Sequence, residues 1–250
     1  MSRASPPCDF LEWDTNFFGF RIGRLRGNTL TESKIKQAET WSACNRIRCL
    51  YFLAHPDDML TTRLAEEHGF QLVDLRLTFE CKITAPLLSM VDFLHPVLPE
   101  EMPALERLAR AGFTHSRFFH DTGFPRERAE ALYEVWIKRD FQDPSSIVLV
   151  AASAGGSPHG FISCRLEPGQ EVASVGLISV SAEGRGKGTG KALLNGALTW
   201  AGEHGAARLE VVTQGRNIAA QRLYQRGGFL IRFLELWYHK WYDINETQNG

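Results

Sequence analysis

A glycine-rich segment between two regular stretches constrains this chain more than any other feature of its sequence. Residues 175–192 read VGLISVSAEGRGKGTGKA. The pattern predicts a strand, a glycine-rich loop and a helix, in that order. The first turn of a helix offers unpaired N–H groups and the positive end of the helix dipole, and glycine lets the backbone approach a ligand closely. Because Arg185, Lys187 and Lys191 add positive charge, the segment indicates a site for a diphosphate group.

Two common phosphate-binding motifs do not fit this loop. The P-loop requires G-x-x-x-x-G-K-[ST], but Gly190 and Lys191 are preceded at the required spacing by Arg185 and followed by Ala192. The dinucleotide motif G-x-G-x-x-G lacks its third glycine whether it is started at residue 184, 186 or 188. A diphosphate here must therefore be bound by a different arrangement of the loop.

The spacing that does fit is R-x-x-G-x-G, formed by Arg185, Gly188 and Gly190. It resembles the acetyl-CoA signature of the GCN5-related N-acetyltransferases (GNAT). Further along, residues 217–229 read NIAAQRLYQRGGF and resemble that family's N-x-x-A-x-x-x-Y-x-x-x-G-F helix. Two matches in the right order make the resemblance more specific than one glycine motif. The alternative is a glycine-rich surface loop in front of an ordinary helix.

The resemblance implies how the chain holds acetyl-CoA as its co-substrate. A strand over residues 173–180 would splay from its neighbour, and its backbone would pair with the pantetheine arm as an added strand does. A free N–H there could polarise the thioester carbonyl. Asn217 would contact the cofactor or simply cap its helix. The implied cofactor-binding residues are Ile178, Ser179, Val180, Arg185, Gly186, Lys187, Gly188, Thr189, Gly190, Lys191 and Asn217.

A narrower resemblance extends over most of the chain. The segments WDTNFFG at residues 13–19, SRF at 116–118 and LYEVWI at 132–137 resemble the dTDP-fucosamine acetyltransferases. Those enzymes acetylate the 4-amino group of a dTDP-linked 4-amino-4,6-dideoxygalactose. The chain departs from their pattern between Phe119 and Arg126, which puts the exact sugar in doubt more than the reaction. Two alternatives stay open: acetylation of another small amine or a protein amine, and a non-catalytic acyl-CoA-binding module.

The resemblance also suggests residues for the reaction itself. Tyr224 is the candidate general acid for the departing thiolate, because a phenol can protonate a thiolate of ordinary basicity; the alternative is a core aromatic residue. Asp74 is the candidate base acting through water, and its alternative is a solvated carboxylate on a strand. Asp121 and His120 are weaker base candidates. The expected substrate-binding residues are Arg117, Phe118, Asn16 and Phe17, with Arg117 pairing with a diphosphate or lying free on the surface.

The fold class expected is α/β, with a GNAT acyltransferase fold preceded by a smaller α/β domain. The first 85 residues alternate strand-like and helix-like stretches, the β-α-β-α-β pattern of an α/β sheet. A proline cluster follows at Pro86, Pro96, Pro99 and Pro103, and proline interrupts regular structure. We therefore expect an acceptor-side domain over residues 1–95 and an acetyl-CoA-binding domain over residues 96–250.

Composition and charge exclude several classes of protein. The 250 residues carry 28 Lys and Arg against 29 Asp and Glu, a net charge of −1, which disfavours a nucleic-acid-binding protein. The longest apolar runs are too short to span a membrane, and the N-terminus turns acidic before any signal-peptide-like stretch. The five cysteines are an odd number without a C-x-x-C pair, so we expect no disulfide framework and no metal site. A cytoplasmic enzyme for a small amine is expected, with a homodimer left open.

Overall fold

The computed structural model describes residues 6–84, 93–152 and 156–243 of the chain. Its helices and strands, in chain order, are β1 (Cys8–Phe10), α1 (Glu12–Phe18), β2 (Ile22–Leu25), α2 (Glu32–Cys44), β3 (Cys49–Ala54), α3 (Met59–Glu67), β4 (Gln71–Lys82), β5 (Leu94–Pro96), α4 (Met102–Gly112), α5 (Arg117–His120), α6 (Arg126–Gln142), β6 (Ser146–Ala152), β7 (Pro158–Arg165), β8 (Val172–Val180), α7 (Thr189–Glu203), β9 (Arg208–Gln214), α8 (Ile218–Arg226) and β10 (Leu230–Trp241). A short 3-10 turn at Pro99–Glu101 precedes α4.

The chain divides into two compact units, each discontinuous in sequence. Unit 1 takes its described residues from the stretches 1–76, 117–128 and 234–250, and unit 2 from 77–116 and 129–233. This division does not coincide with the expected boundary between residues 95 and 96. The reason is that β4 and β10 each contribute residues to both units, and that α5 belongs to unit 1 although it follows α4 of unit 2.

Unit 1 is built on the strand order β1–β2–β3–β10. Strands β2 and β3 are parallel, and β10 is antiparallel to β3, with Tyr51 opposite His239 and Phe52 opposite Tyr238. Because side chains alternate across a strand, these pairs point to opposite faces of the sheet. Phe52 and Tyr238 belong to the apolar core shared with α2 and α3, where Thr31 and Asp58 cap the helix N-termini. The other face therefore carries Tyr51 and His239.

Unit 2 is built on the strand order β4–β9–β8–β7–β6–β5. The pairs β5–β6, β6–β7 and β7–β8 are antiparallel, whereas the pair β8–β9 is parallel. One face of this sheet packs on α7, whose Leu193, Leu194 and Ala197 are fully buried. The apolar spacing in the sequence predicts a helix over residues 191–204 with Leu194, Ala197, Leu198 and Ala201 on one face. The structure confirms the helix, which begins two residues earlier, and buries all of these residues except Leu198, which is half-buried. Within the described residues, no helix is long and apolar enough to cross a membrane.

Candidate active site

The unit 2 sheet has a gap beside the second half of β8, where no strand pairs with one of its edges. Pairing with β7 continues as far as Val180, opposite Gly160, whereas the parallel pairing with β9 extends from Val172 to Val175. The sequence resemblance predicts this splay, and the structure confirms it. The gap leaves one edge of residues 176–180 without the neighbouring strand that pairs with the start of β8.

Backbone alternation determines which groups face the gap. The Ser181 N–H donates to the His159 carbonyl at 2.7 Å, and the Leu177 N–H donates to Ser163 Oγ at 2.9 Å, so these odd positions face β7. In an antiparallel pair the intervening residues turn their N–H and C=O groups the opposite way. Ile178 and Val180 therefore present their backbone to the gap, as a pantetheine arm would require.

Ser179 differs from its two neighbours. It is paired with Phe161 across β7, and its hydroxyl donates to the Leu108 carbonyl at 3.3 Å. The residue is 8% exposed, and a Cβ added to Gly112 would meet its Oγ at 2.4 Å. Ser179 therefore holds α4 against the sheet. Its backbone N–H and C=O face β7, so they do not face the gap in which the cofactor contact is predicted.

The loop after β8 has the geometry of an anion site. Gly186 and Gly188 have φ values of +74° and +82°, which side chains rarely adopt, although no atom lies within 4 Å of an added Cβ. The Ala192 N–H is the first in α7 to find a helical acceptor, the Gly188 carbonyl at 3.0 Å. The N–H groups of Gly188–Lys191 precede it, so they are available to a ligand. Arg185, Lys187 and Lys191 are exposed and add positive charge to the same loop and helix start.

Two other loop residues have a structural task. The Thr189 hydroxyl donates to the Gly184 carbonyl at 3.0 Å and closes the loop on itself. A Cβ added to Gly190 would meet Leu223 Cδ2 at 3.1 Å, so this glycine permits the close approach of α8 to α7. The R-x-x-G-x-G pattern thus combines glycines of two kinds: Gly188 for its backbone conformation and Gly190 for packing.

Helix α8 carries Asn217 and Tyr224. The Asn217 Oδ1 accepts from the Ala220 N–H at 3.1 Å, so the side chain caps the helix, which was one of its two expected roles. Tyr224 is 2% exposed, and its ring packs 5.5 Å from Phe79 and 6.1 Å from Phe229, measured between centroids. Burial raises the pKa of the Tyr224 phenol well above its usual value, so the hydroxyl stays protonated at neutral pH.

Asp74 lies on the part of β4 that belongs to unit 1. The residue is 5% exposed, and its Oδ1 accepts from the Leu75 N–H at 2.9 Å. The alternative interpretation, a solvated carboxylate on a strand, is therefore wrong because the residue is buried. Its role as a base stays a prediction.

Arg117, on α5 of unit 1, has an unusual environment for a charged group. Its guanidinium carbon lies 4.2 Å from the ring centroid of Trp237, 4.3 Å from that of Phe118 and 4.9 Å from that of Tyr51. Its Nε is buried and has no hydrogen-bond partner in the described part of the chain. Within the same described residues, no carboxylate lies within ion-pair distance of it. Asp14 interacts with Arg117 electrostatically, since the guanidinium opposes the burial that raises the pKa of the Asp14 carboxyl, but the two form no ion pair. A positive charge that is partly removed from water and has no direct ion pair favours an anionic ligand.

The other predicted substrate-binding residues have different surroundings. Phe118 is 4% exposed and packs against Phe18 and Phe124 at 5.2 and 5.1 Å between ring centroids, and its contact with substrate stays a prediction. Asn16 is exposed on α1, and Phe17 stacks on Trp13 at 5.1 Å. The sequence pattern did not predict α1 or α5 as helices, because each is shorter than two full turns.

The contacts of Asp121 make it a weak base. His239, Trp241 and the Gly123 N–H all donate to its carboxylate. Burial alone would raise the pKa of Asp121, but these hydrogen bonds outweigh burial and lower it. Sequence reasoning missed His239, which is fully buried and 118 residues away in the chain, and no local motif marks it. Among the described residues there is no cluster of His, Cys, Asp and Glu suited to a metal ion.

Comparison with known proteins gives matches that cover both units. The model of the acetyltransferase (GNAT) family matches residues 104–229, just over half of the chain. The chain is 27% identical over 234 residues to a dTDP-fucosamine acetyltransferase of Escherichia coli, covering 92% of this chain and 96% of that protein. It is 26% identical over 148 residues to a spore coat polysaccharide biosynthesis protein of Bacillus subtilis, covering 59% of this chain and 50% of that protein.

Solved structures show the same fold. A GCN5-related N-acetyltransferase from Sphaerobacter thermophilus superposes with a TM-score of 0.66 at 17% identity, covering 94% of this chain and 76% of that chain. A functionally unknown protein from Staphylococcus epidermidis superposes with a TM-score of 0.67 at 13% identity, covering 97% of this chain and 94% of that chain. These likenesses confirm the expected α/β fold.

Proposed function

Because the chain belongs to the GNAT family of acetyltransferases, we propose that it moves the acetyl group of acetyl-CoA to the amine of a nucleotide-linked amino sugar, such as dTDP-4-amino-4,6-dideoxygalactose. The observation that carries this proposal is the extent of the similarity to the dTDP-fucosamine acetyltransferase. It covers 92% of the chain, and so includes unit 1, most of which lies outside the residues that the family model matches.

Acetyl-CoA is proposed to bind on unit 2. Its pantetheine arm would pair with the backbone of Ile178 and Val180, which face the gap left by β9. The N–H groups of Gly188–Lys191 would donate hydrogen bonds to the diphosphate, with Arg185 and Lys187 nearby in sequence as exposed positive charges. The positive φ values at the loop glycines support this role, because they turn the loop without side chains that would obstruct the backbone.

The reaction exchanges the carbon–sulfur bond of the thioester for a carbon–nitrogen bond and moves one proton from nitrogen to sulfur. The neutral amine nitrogen bonds to the thioester carbonyl carbon, the carbon–sulfur bond breaks, the nitrogen loses a proton and the sulfur gains one. An N–H of β8 facing the gap, at Ile178, would stabilise the charge that develops on the carbonyl oxygen. Tyr224 is proposed to protonate the thiolate, and Asp74 to accept the amine proton through water.

Arg117 is proposed to bind the diphosphate that links nucleotide and sugar. The guanidinium lies against aromatic rings and forms no ion pair among the described residues, so no direct carboxylate contact neutralises its charge. A guanidinium fork matches phosphate oxygens in a bidentate geometry. Asn16 and Phe17 are proposed as further acceptor contacts on α1.

The test is an acceptor panel with acetyl-CoA, in which thiol release is followed and products are identified by mass spectrometry. The panel contains a dTDP-linked 4-amino sugar, the same amino sugar without its nucleotide, a polyamine and a lysine peptide. We expect the dTDP-linked sugar to have the highest kcat/KM. Preference for the peptide or the polyamine would overturn the choice of acceptor, and thiol release with none of them above the rate in water would argue for a non-catalytic module.

A further inference from the structure

The loop in which the chain departs from the dTDP-fucosamine acetyltransferase pattern holds a buried carboxylate with three donors. Asp121 accepts from His239 Nδ1 at 2.5 Å, from Trp241 Nε1 at 2.9 Å and from the Gly123 N–H at 3.0 Å. Its side chain is 8% exposed and that of His239 is fully buried. The two ring donors belong to β10, so the carboxylate fixes the loop to that strand.

The same residue closes the turn that carries Arg117. The Asp121 N–H donates to the Arg117 carbonyl at 2.9 Å, so the backbone of Arg117 is one hydrogen bond away from the fixed carboxylate. Gly123 reinforces the attachment, because an added Cβ would lie 2.2 Å from the Trp241 ring. The loop thus lies directly against Trp241 and cannot shift without losing these contacts.

The carboxylate does not neutralise the guanidinium. Its hydrogen bonds go to His239, Trp241 and a backbone N–H, and it is not within ion-pair distance of Arg117. The Arg117 guanidinium instead lies on Trp237 and Tyr51, whose positions on β10 and β3 are fixed by their pairing. An arginine held in this way keeps its charge available, and a small shift of α5 would redirect its donors.

We propose that Asp121 is a positioning residue for the acceptor: by binding His239 and Trp241 it fixes the direction in which Arg117 presents its guanidinium to a phosphate-bearing ligand. This inference rests on the proposed function, which gives Arg117 the diphosphate of the acceptor. Asp121 contacts no reacting atom in this role, and its effect passes through Arg117.

The experiment uses dTDP as the probe, with its dissociation constant measured by calorimetry on the full chain. Arg117→Gln should weaken dTDP binding by about 10- to 100-fold, the range for losing hydrogen bonds to a charged group. Asp121→Asn keeps the shape of the side chain and removes its charge, and should weaken binding by about tenfold. The double variant should bind no more weakly than Arg117→Gln alone, because the second change acts only through the first.

Two controls separate positioning from general damage. Asp9→Asn also removes a carboxylate of unit 1, one that among the described residues pairs only with the exposed Arg26, and should leave dTDP affinity unchanged. The affinity of each variant for acetyl-CoA should also stay within twofold of the parent. If Asp121→Asn does not fold, Trp241→Phe takes its place, since it removes one donor to the carboxylate and keeps an aromatic ring; a several-fold loss of dTDP affinity is expected.

The outcomes are distinguishable. If the parent protein does not bind dTDP, both the proposal of a nucleotide-linked acceptor and the proposed positioning role of Asp121 are refuted. If Arg117→Gln loses affinity but Asp121→Asn, or Trp241→Phe in its place, does not, the proposed function stands and the positioning role is refuted. Additive losses in the double variant would likewise refute it, because they would show that Asp121 acts independently of Arg117.

Discussion

Replacing Tyr224 with phenylalanine tests whether its hydroxyl or only its ring matters. The change removes one oxygen and keeps a ring that is 2% exposed and packed between Phe79 and Phe229. The described residues show no hydrogen-bond partner for this hydroxyl, so the folded state loses no internal hydrogen bond. We therefore expect the free energy of unfolding to change by less than about 1 kcal/mol.

The effect on turnover should be much larger. If the hydroxyl protonates the thiolate, kcat should fall by about 100-fold, which corresponds to about 2.7 kcal/mol of activation free energy. The fall should appear equally in kcat/KM, because the proton is needed in the transition state and not in binding. The dissociation constant for acetyl-CoA should change by less than twofold. Burial keeps the phenol protonated by raising the pKa of Tyr224, so the parent enzyme should retain its proton donor throughout the neutral range.

The assay compares kcat, KM and a thermal unfolding curve for Tyr224→Phe and for the matched variant Tyr238→Phe. Tyr238 is 1% exposed, and its hydroxyl donates only a 3.3 Å bond to Glu66, so it reports what a buried tyrosine hydroxyl contributes without catalysis. A kcat of Tyr224→Phe within threefold of the parent would refute the reasoning and leave water as the proton donor. A large loss of stability would instead identify Tyr224 as a structural residue.

Three further predictions concern the loop, the cap of α8 and the buried histidine. Gly188→Val should weaken acetyl-CoA binding at least tenfold while the protein still folds, because its φ of +82° suits glycine alone; calorimetry on the folded variant checks this, and unchanged affinity would contradict the loop assignment. Asn217→Ala should lower the free energy of unfolding by about 1 kcal/mol through loss of the helix cap, with Asn217→Asp as the control that retains it, as measured by urea denaturation. Burial lowers the pKa of His239 below 6.5, so near pH 5 this histidine is protonated in the unfolded chain but not in the folded chain. The free energy of unfolding should therefore fall by up to about 2 kcal/mol between pH 7 and pH 5. In His239→Gln the free energy of unfolding should depend less on pH over this range. An equal slope in that variant would assign the acid sensitivity to other groups.

The sequence by itself predicted the segment that is proposed to bind acetyl-CoA. Its strand, loop and helix are consecutive in the chain, so each constraint acts over a few residues: the glycines permit positive φ, the helix start supplies N–H groups, and the apolar spacing places α7 on the sheet. The cap at Asn217 is equally local, because its side chain bonds to a backbone group three residues away. Local chemistry of this kind can be read without knowing what the rest of the chain does.

Some properties of the same segment needed the fold. The motif does not reveal that Gly190 serves packing while Gly188 serves conformation, since the difference lies in the approach of Leu223 from another helix. Nor does it reveal that Ile178 and Val180 face the gap while Ser179 faces β7, because that depends on the register between β7 and β8. Register is a property of paired strands and is not encoded in either strand alone.

The surroundings of the residues proposed to bind the acceptor depend on tertiary structure. The sequence pattern gave Arg117 two roles of equal weight, and only the fold shows its guanidinium between Tyr51 and Trp237, residues 66 positions before it and 120 positions after it. The pairing of Asp121 with His239 likewise joins residues 118 positions apart. The division into units also differs from the expected boundary, since β10 returns from the end of the chain to pair with β3. Contacts between distant parts of a chain depend on strand order and packing, and those form only when the whole chain is folded.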